Sequence, residues 1–189
     1  MPRRYFKRYR MEYDLLRQEP PAPQLPDGFA WRSWADSSVQ QHAMAKFRAF
    51  AGSIDADVFP SLRTYDGCLR LMRFIDGRCD FVPHATWLIV STTSERFGDV
   101  PVGTIQVCSP VHQQAAVQNI GVVPEFRGCG LGRALLLRSL LSMRAEGFHR
   151  GTLDVTARNA TAADFYARVG FVTKRTSYRR VMLAKEAMA

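Results

Sequence analysis

The run Arg127-Gly128-Cys129-Gly130-Leu131-Gly132 has the residue types and spacing to hold a phosphate. An apolar stretch, Ile120-Gly121-Val122-Val123, precedes it, and a Leu-rich segment, Ala134 to Met143, follows it. That order reads as strand, glycine-rich turn and helix start. The first amides of a helix have no partner within the helix and carry partial positive charge. Glycine lets backbone approach a ligand closely, because no side chain intervenes. Together these features suit a phosphate or pyrophosphate. The run is not a nucleoside-triphosphate P-loop, since no Lys-Ser/Thr pair follows the last glycine. Nor is it a dinucleotide fingerprint: the glycine spacing differs and an Arg opens it. Cys129 lies inside the loop, near a helix N-terminus that lowers a thiol pKa in principle, but its plainer reading is an ordinary loop residue.

The elements that must position this loop are legible in outline. Residues 1–16 alternate basic and aromatic side chains and read as a strand or a tail. A Pro-rich connector follows at 20–26, so 1–26 is expected to be an N-terminal arm or extra strand with its linker, and 27–189 a single domain. Phe29 to Trp34 reads as a strand. Asp36 to Ser38 supply cap chemistry for a helix from Val39 to Phe50. The segment 51–80 gives no clear pattern until Leu69, Met72, Arg73 and Ile75, which suggest a helix stopped at Gly77. Strands are expected at 85–92, 102–108 and 115–123, with a polar hairpin loop from Thr93 to Asp99. A long helix from Gly130 to Glu146, a strand from Gly151 to Thr156 and a helix from Ala160 to Val169 follow. Two last strands are read at 171–174 and 178–184. Strands followed by alternating strands and helices make an α/β or α+β sheet protein.

The 189 residues suffice for one domain with a real core, and 47% hydrophobic residues argue against a disordered chain. No apolar stretch reaches the roughly 18 residues of a membrane helix, and no apolar h-region follows the basic N-terminus. The four cysteines lack metal-ligand spacing, so no metal is expected, and reduced thiols in a cytoplasmic protein are the default. The net charge of +9 is concentrated in Arg3 to Arg10 and Lys174 to Arg180. It favours acidic partners, a phosphorylated cofactor among them.

From about Val117 to Leu183 the chain resembles the GNAT superfamily of acetyl-CoA-dependent N-acetyltransferases. The acyl-CoA loop of that family is Arg or Gln, two residues, Gly, one residue, then Gly or Ala; here Arg127, Gly130 and Gly132 match. A second match is Asn159, Ala162, Tyr166 and Gly170-Phe171. The resemblance implies a mixed, mostly antiparallel sheet of six to seven strands, flanked by helices and splayed at the acyl-CoA site. It implies acetyl-CoA as acyl donor. The backbone of Gly121, Val122 and Val123 would pair with pantetheine, and the loop Arg127, Gly128, Cys129, Gly130, Leu131 and Gly132 would hold the pyrophosphate. Asn159 would contact CoA, or else serve as a cap. The Ile120 amide would stabilise the oxyanion, and Tyr166 would protonate the departing thiolate.

One departure matters. Where many members place Glu or His, two residues before the oxyanion-hole amide, this chain has Gln118, with Asn119 beside it. Neither takes a proton near neutral pH. His84, His112 and Glu125 are candidates for the base by chemistry alone, and none is assigned. Acceptor-site residues are expected between 35 and 80, where Phe47, Phe50, Phe59, Tyr65 and Phe74 would line a pocket or pack a core. The expected activity is acetyl transfer to a primary amine of an unidentified acceptor. The alternatives are a protein that acts on or binds RNA such as aminoacyl-tRNA, for which no recognition signature is seen, or one that binds acyl-CoA without turnover. No membrane partner is expected, and a homodimer through an edge strand is a further expectation.

Overall fold

The computed structural model describes residues 3–93 and 98–182. Seven strands form one sheet in the order β2-β3-β4-β5-β6-β1-β7. They are β1 (Arg3–Asp14), β2 (Phe29–Ser33), β3 (Trp87–Ser91), β4 (Val100–Val111), β5 (Gln114–Val122), β6 (Arg150–Thr156) and β7 (Val172–Met182). All neighbours pair antiparallel except β5 and β6. Helices α1 (Val39–Phe50), α2 (Ile54–Val58) and α3 (Tyr65–Asp76) precede β3; α4 (Leu131–Ala145) and α5 (Ala160–Val169) flank β6.

The central strands are buried on both faces, so their side chains alternate between two cores rather than between core and solvent. From β4, Ile105 and Val107 join the cluster beneath α4, together with Leu135, Leu136, Leu140 and Met143. Each such side chain contributes about 2 kcal/mol on burial. The alternate β4 residues Thr104, Gln106 and Cys108 face α1 and α3. There His42 Nδ1 lies 2.8 Å from Thr104 Oγ1, and its Nε2 lies 2.9 Å from Ser37 Oγ. Burial, and then the nearby Lys46, hold the His42 imidazole neutral, with a pKa of about 3. Lys46 is itself fully buried, beside the thiols of Cys68 and Cys108, and its Nζ has no hydrogen-bond partner.

The N-terminal segment is a strand inside the sheet. Strand β1 pairs with β6 from Arg8 to Asp14 and with β7 from Arg3 to Glu12. Its alternation explains this position: Met11 and Tyr13 are buried in the main core, while Arg8 and Arg10 point to the opposite face. The two C-terminal strands expected from sequence are one continuous strand, β7. The polar run Arg175 to Ser177 between them carries no strand pattern because β7 is an edge strand exposed along most of its length. A bulge opposite Arg10 and Met11 absorbs the irregularity. Residues 183–184 of the last expected strand, and most of the expected 93–99 loop, lie outside the described residues. The unpatterned 51–64 segment holds α2 and a 3₁₀ turn at Pro60–Leu62. Helix α3 ends at Gly77 as expected.

Candidate functional site

Three of the long helices open on a polar cap. The side chains of Ser38, Thr64 and Asn159 accept from the amides of Gln41, Gly67 and Ala162 at the starts of α1, α3 and α5. Helix α4 differs. It opens on Gly130, in the left-handed region at φ 88°, with no side-chain cap. The first helical carbonyl bond is from Ala134 N to Gly130 O, and among the described residues no backbone carbonyl accepts from the amides of Gly128, Cys129 or Gly130. A Cβ built on Gly128 or Gly130 would meet nothing within 4 Å. The loop is therefore a cradle of free donors with open space before it, which fits a pyrophosphate.

The Arg127 side chain is engaged in holding this loop. Its Nε donates to Val122 O at 2.9 Å and its Nη2 to Ala49 O at 2.7 Å, tying the loop to the end of β5 and to the last turn of α1. Cys129 is exposed and donates to Phe126 O at 3.0 Å. Close packing supports the same corner: a Cβ on Gly121 would come within 2.8 Å of the Phe50 ring.

Strand β5 parts from β6 beside this loop. The parallel ladder covers only Gln114 to Val117 against Arg150 to Leu153. At the same point β5 bulges against β4: Val117 pairs with Val107 and Asn119 with Gln106, leaving Gln118 as the extra residue. The bulge and the lost pairing open a V-shaped gap, and its β5 wall runs from Gln118 through Ile120. The cleft there is lined by Val117 to Ile120, Asp154, Asn159 and Tyr166, with Phe50, Asp55, Phe59 and Arg8 from the opposite side. Tyr166 reaches it from α5. Burial raises the Tyr166 hydroxyl above the ordinary tyrosine range; Asp55 adds to this and Arg8 opposes it. The phenol therefore keeps its proton at neutral pH and can donate it.

The structure thus brings Ile120 and Tyr166 to one cleft, while none of the loop residues 127–132 is among those lining it. Asn159 caps α5 and also donates from Nδ2 to Asp55 at 3.3 Å. The three base candidates are not in the cleft. Exposed His84 sits 2.9 Å from Glu146, exposed His112 lies in the turn between β4 and β5, and Glu125 faces Arg48 at 3.8 Å. Of the expected acceptor-side aromatics, Phe50 and Phe59 line the cleft; Phe47 and Tyr65 pack in the core under α1 and α3, and Phe74 is exposed. Sequence reasoning missed Arg8, Asp55 and Asp154. Asp55 accepts from Thr156 Oγ1 at 3.1 Å as well as from Asn159, and Asp154 pairs with Arg10 at 3.1 Å. No short motif marks these residues, because each comes from a different element.

Residues 56–171 match the model of the acetyltransferase (GNAT) family. The chain is 30% identical over 174 residues to the mycothiol acetyltransferase of Cellulomonas flavigena, covering 86% of this chain and 46% of that protein. It is 31% identical over 178 residues to the mycothiol acetyltransferase of Saccharomonospora viridis, covering 88% and 53%. The chain spans about half the length of these curated relatives. A shorter match, 32% over 66 residues, joins 34% of it to 44% of the ribosomal protein bS18 alanine N-acetyltransferase of Haemophilus influenzae. Among solved structures, a GCN5-related N-acetyltransferase from Sphaerobacter thermophilus has the same fold at TM-score 0.70 and 24% identity, over 95% of this chain and 52% of that one. Among the described residues no helix is long and apolar enough to cross a membrane, and no group of His, Cys, Asp and Glu could hold a metal ion. The family match runs from α2 to Phe171, just before β7, and takes in the loop and the β5, β6 and α5 walls of the cleft, so this chain belongs to the acetyltransferase (GNAT) family.

Proposed function

We propose that the chain transfers an acetyl group from acetyl-CoA to a primary amine held in the cleft between β5 and β6. The observation that carries this reading is the opening of β5 from β6 beside an uncapped helix N-terminus. Acetyl-CoA, when bound, supplies an acyl group activated as a thioester. The amides of residues 128–132 would hold its pyrophosphate. The edge of β5 without a β6 partner, from Ile120 to Val122, would pair with the amides of pantetheine, and Val123 closes that wall by donating to Val102 O at 2.8 Å. The Ile120 amide would donate to the acyl oxygen as negative charge builds there, an arrangement worth about 3–4 kcal/mol in comparable sites. Tyr166 would give its proton to the sulfur as the acyl group leaves. Asn159 would act by capping α5, the helix that carries Tyr166, and by holding Asp55 at the cleft. Among the described residues, Asp55 and Asp154 are the carboxylates lining the cleft, and either can pass the amine's proton to solvent.

Tyr166→Phe removes the donor and keeps the ring. It is expected to lower kcat about 10²-fold, within the usual range for a positioned acid, with acetyl-CoA affinity unchanged. An unaltered kcat would remove Tyr166 from the chemistry. The reading as a whole is tested by thiol release from acetyl-CoA in the presence of pooled amines, amino acids, amino sugars and peptides. Tight acetyl-CoA binding with amine-stimulated release supports it; absence of acetyl-CoA binding would overturn it.

A further inference from the structure

The cleft carries a cation that the transfer chemistry does not use. Arg8 reaches it from β1. Its Nη2 donates to the backbone oxygen of Asp154 at 2.6 Å, and its Nε is buried with no hydrogen-bond partner. An unsatisfied buried donor is costly, and such groups in native proteins call for an explanation. Among the described residues no carboxylate lies within ion-pair distance of Arg8. The two carboxylates of the cleft are committed elsewhere, Asp154 to Arg10 and Asp55 to Thr156 and Asn159.

The surroundings add positive charge. Arg179, opposite Phe6 on β7, stands 4.5 Å from the centre of the Phe59 ring, and Arg8 stands 5.0 Å from the same ring. Stacking on Phe59 explains where the Arg8 side chain lies. It does not satisfy Nε or offset the charge. Burial, chiefly, disfavours the Arg8 cation; Asp154 and Asp55 offset part of this at a distance, the neighbouring Arg179 and Arg10 add to it, and the balance leaves the guanidinium below its ordinary range. Nε is covered by protein, so a ligand meets the outer nitrogens of the guanidinium. An oxyanion there accepts from them and neutralises the charge. A neutral carbonyl would leave the charge in place, and a second ammonium would be repelled.

We propose that the acceptor is an amine that also bears an oxyanion, a carboxylate or a phosphate, and that Arg8 is the residue that selects it. This rests on the cleft being the acceptor site of an acetyltransferase. Polyamines and aminoglycosides are then poor acceptors despite their many amines.

The test measures kcat/KM by thiol release at saturating acetyl-CoA for matched pairs. Phenylalanine against phenethylamine reports on a carboxylate; glucosamine 6-phosphate against glucosamine reports on a phosphate; spermidine stands for the polycations. One anionic member should exceed its neutral partner about 10- to 100-fold, the ratio of a charge-assisted hydrogen bond, and the pair concerned identifies the anion. Arg8→Gln should abolish that preference while leaving the neutral amine within about twofold, and Arg8→Lys should restore part of it. Melting curves of both variants check the fold. Preference for neutral amines or spermidine, equal loss on both members of a pair in Arg8→Gln, or silence on every anionic amine while acetyl-CoA still binds would overturn the proposal alone. Failure to bind acetyl-CoA would instead overturn the reading on which it rests.

Discussion

Gly130→Leu is expected to abolish acetyl-CoA binding without unfolding the protein. The two effects separate because of the geometry at this residue. Gly130 lies at φ 88°, where a Cβ costs roughly 1–2 kcal/mol in local strain. Around it there is nothing within 4 Å for a side chain to strike. The domain therefore survives with a modest loss of stability. The space that the leucine fills is the space before the amides of 128–132, where a pyrophosphate would sit. A side chain there keeps the anion away from the donors, and the expected loss is about 100-fold or more, near 2.7 kcal/mol. Gly147 is the matched control. It lies beyond the other end of the same helix, at φ 82°, also with nothing within 4 Å. Gly147→Leu carries the same backbone strain and should bind acetyl-CoA like the parent. Calorimetric titration of both variants decides the matter: equal affinity of Gly130→Leu and the parent would mean that the loop is not the anion cradle.

Lys46→Met is expected to stabilise the protein, most at acidic to neutral pH. Burial holds the Lys46 amine at a pKa of about 7, against 10.5 for the free side chain; the neighbouring thiols only partly oppose this. A group whose folded pKa is depressed binds more protons when unfolded. Between pH 10.5 and 7, therefore, the unfolded state gains on the folded one as pH falls. Below about pH 7 the cost is fully present, and the drop from 10.5 to about 7 corresponds to about 5 kcal/mol. Methionine has the length of the lysine stem and no charge to desolvate. The variant should exceed the parent by a few kcal/mol at pH 6, and the gap should close as pH approaches 10.5. Urea unfolding at pH 6, 8 and 9.5 measures this directly. A variant less stable than the parent at all three would show that the amine meets a need in the core that the fold does not reveal. Lys46 is not among the residues lining the cleft, though Phe50 one turn on along α1 is, so acetyl-CoA binding provides a check that the packing of α1 on β4 is intact.

The helix starts and the phosphate loop were legible because their physics is local. Ser38 with Gln41 forms a capping box within four residues, and the loop 127–132 needs only its own glycines and the helix that follows. Helix α5 was legible from the Asn159 cap and the Gly170 stop, at φ 116°. What failed was also instructive. The run 175–177 was not read as strand because sequence patterning reports burial, and an exposed edge strand has little burial to report. Lys46 gave no warning of its position, since a single charge on an amphipathic helix normally faces water.

Taken by itself, the sequence determined the elements of the proposed acetyl-CoA side: the uncapped glycine turn, the strand before it and the helix α5 that carries Tyr166. Each depends on residues close together in the chain, where backbone geometry follows from residue type. Only the tertiary structure brought together the residues of the proposed acceptor side. Arg8 is separated from Asp154 by 146 positions and Asp55 from Asn159 by 104. Such pairs meet because β1 enters the sheet between β6 and β7 and because β5 leaves its ladder at Gln118. Neither event leaves a periodic trace, since both are settled by how distant strands share hydrogen bonds and not by the preferences of any one segment.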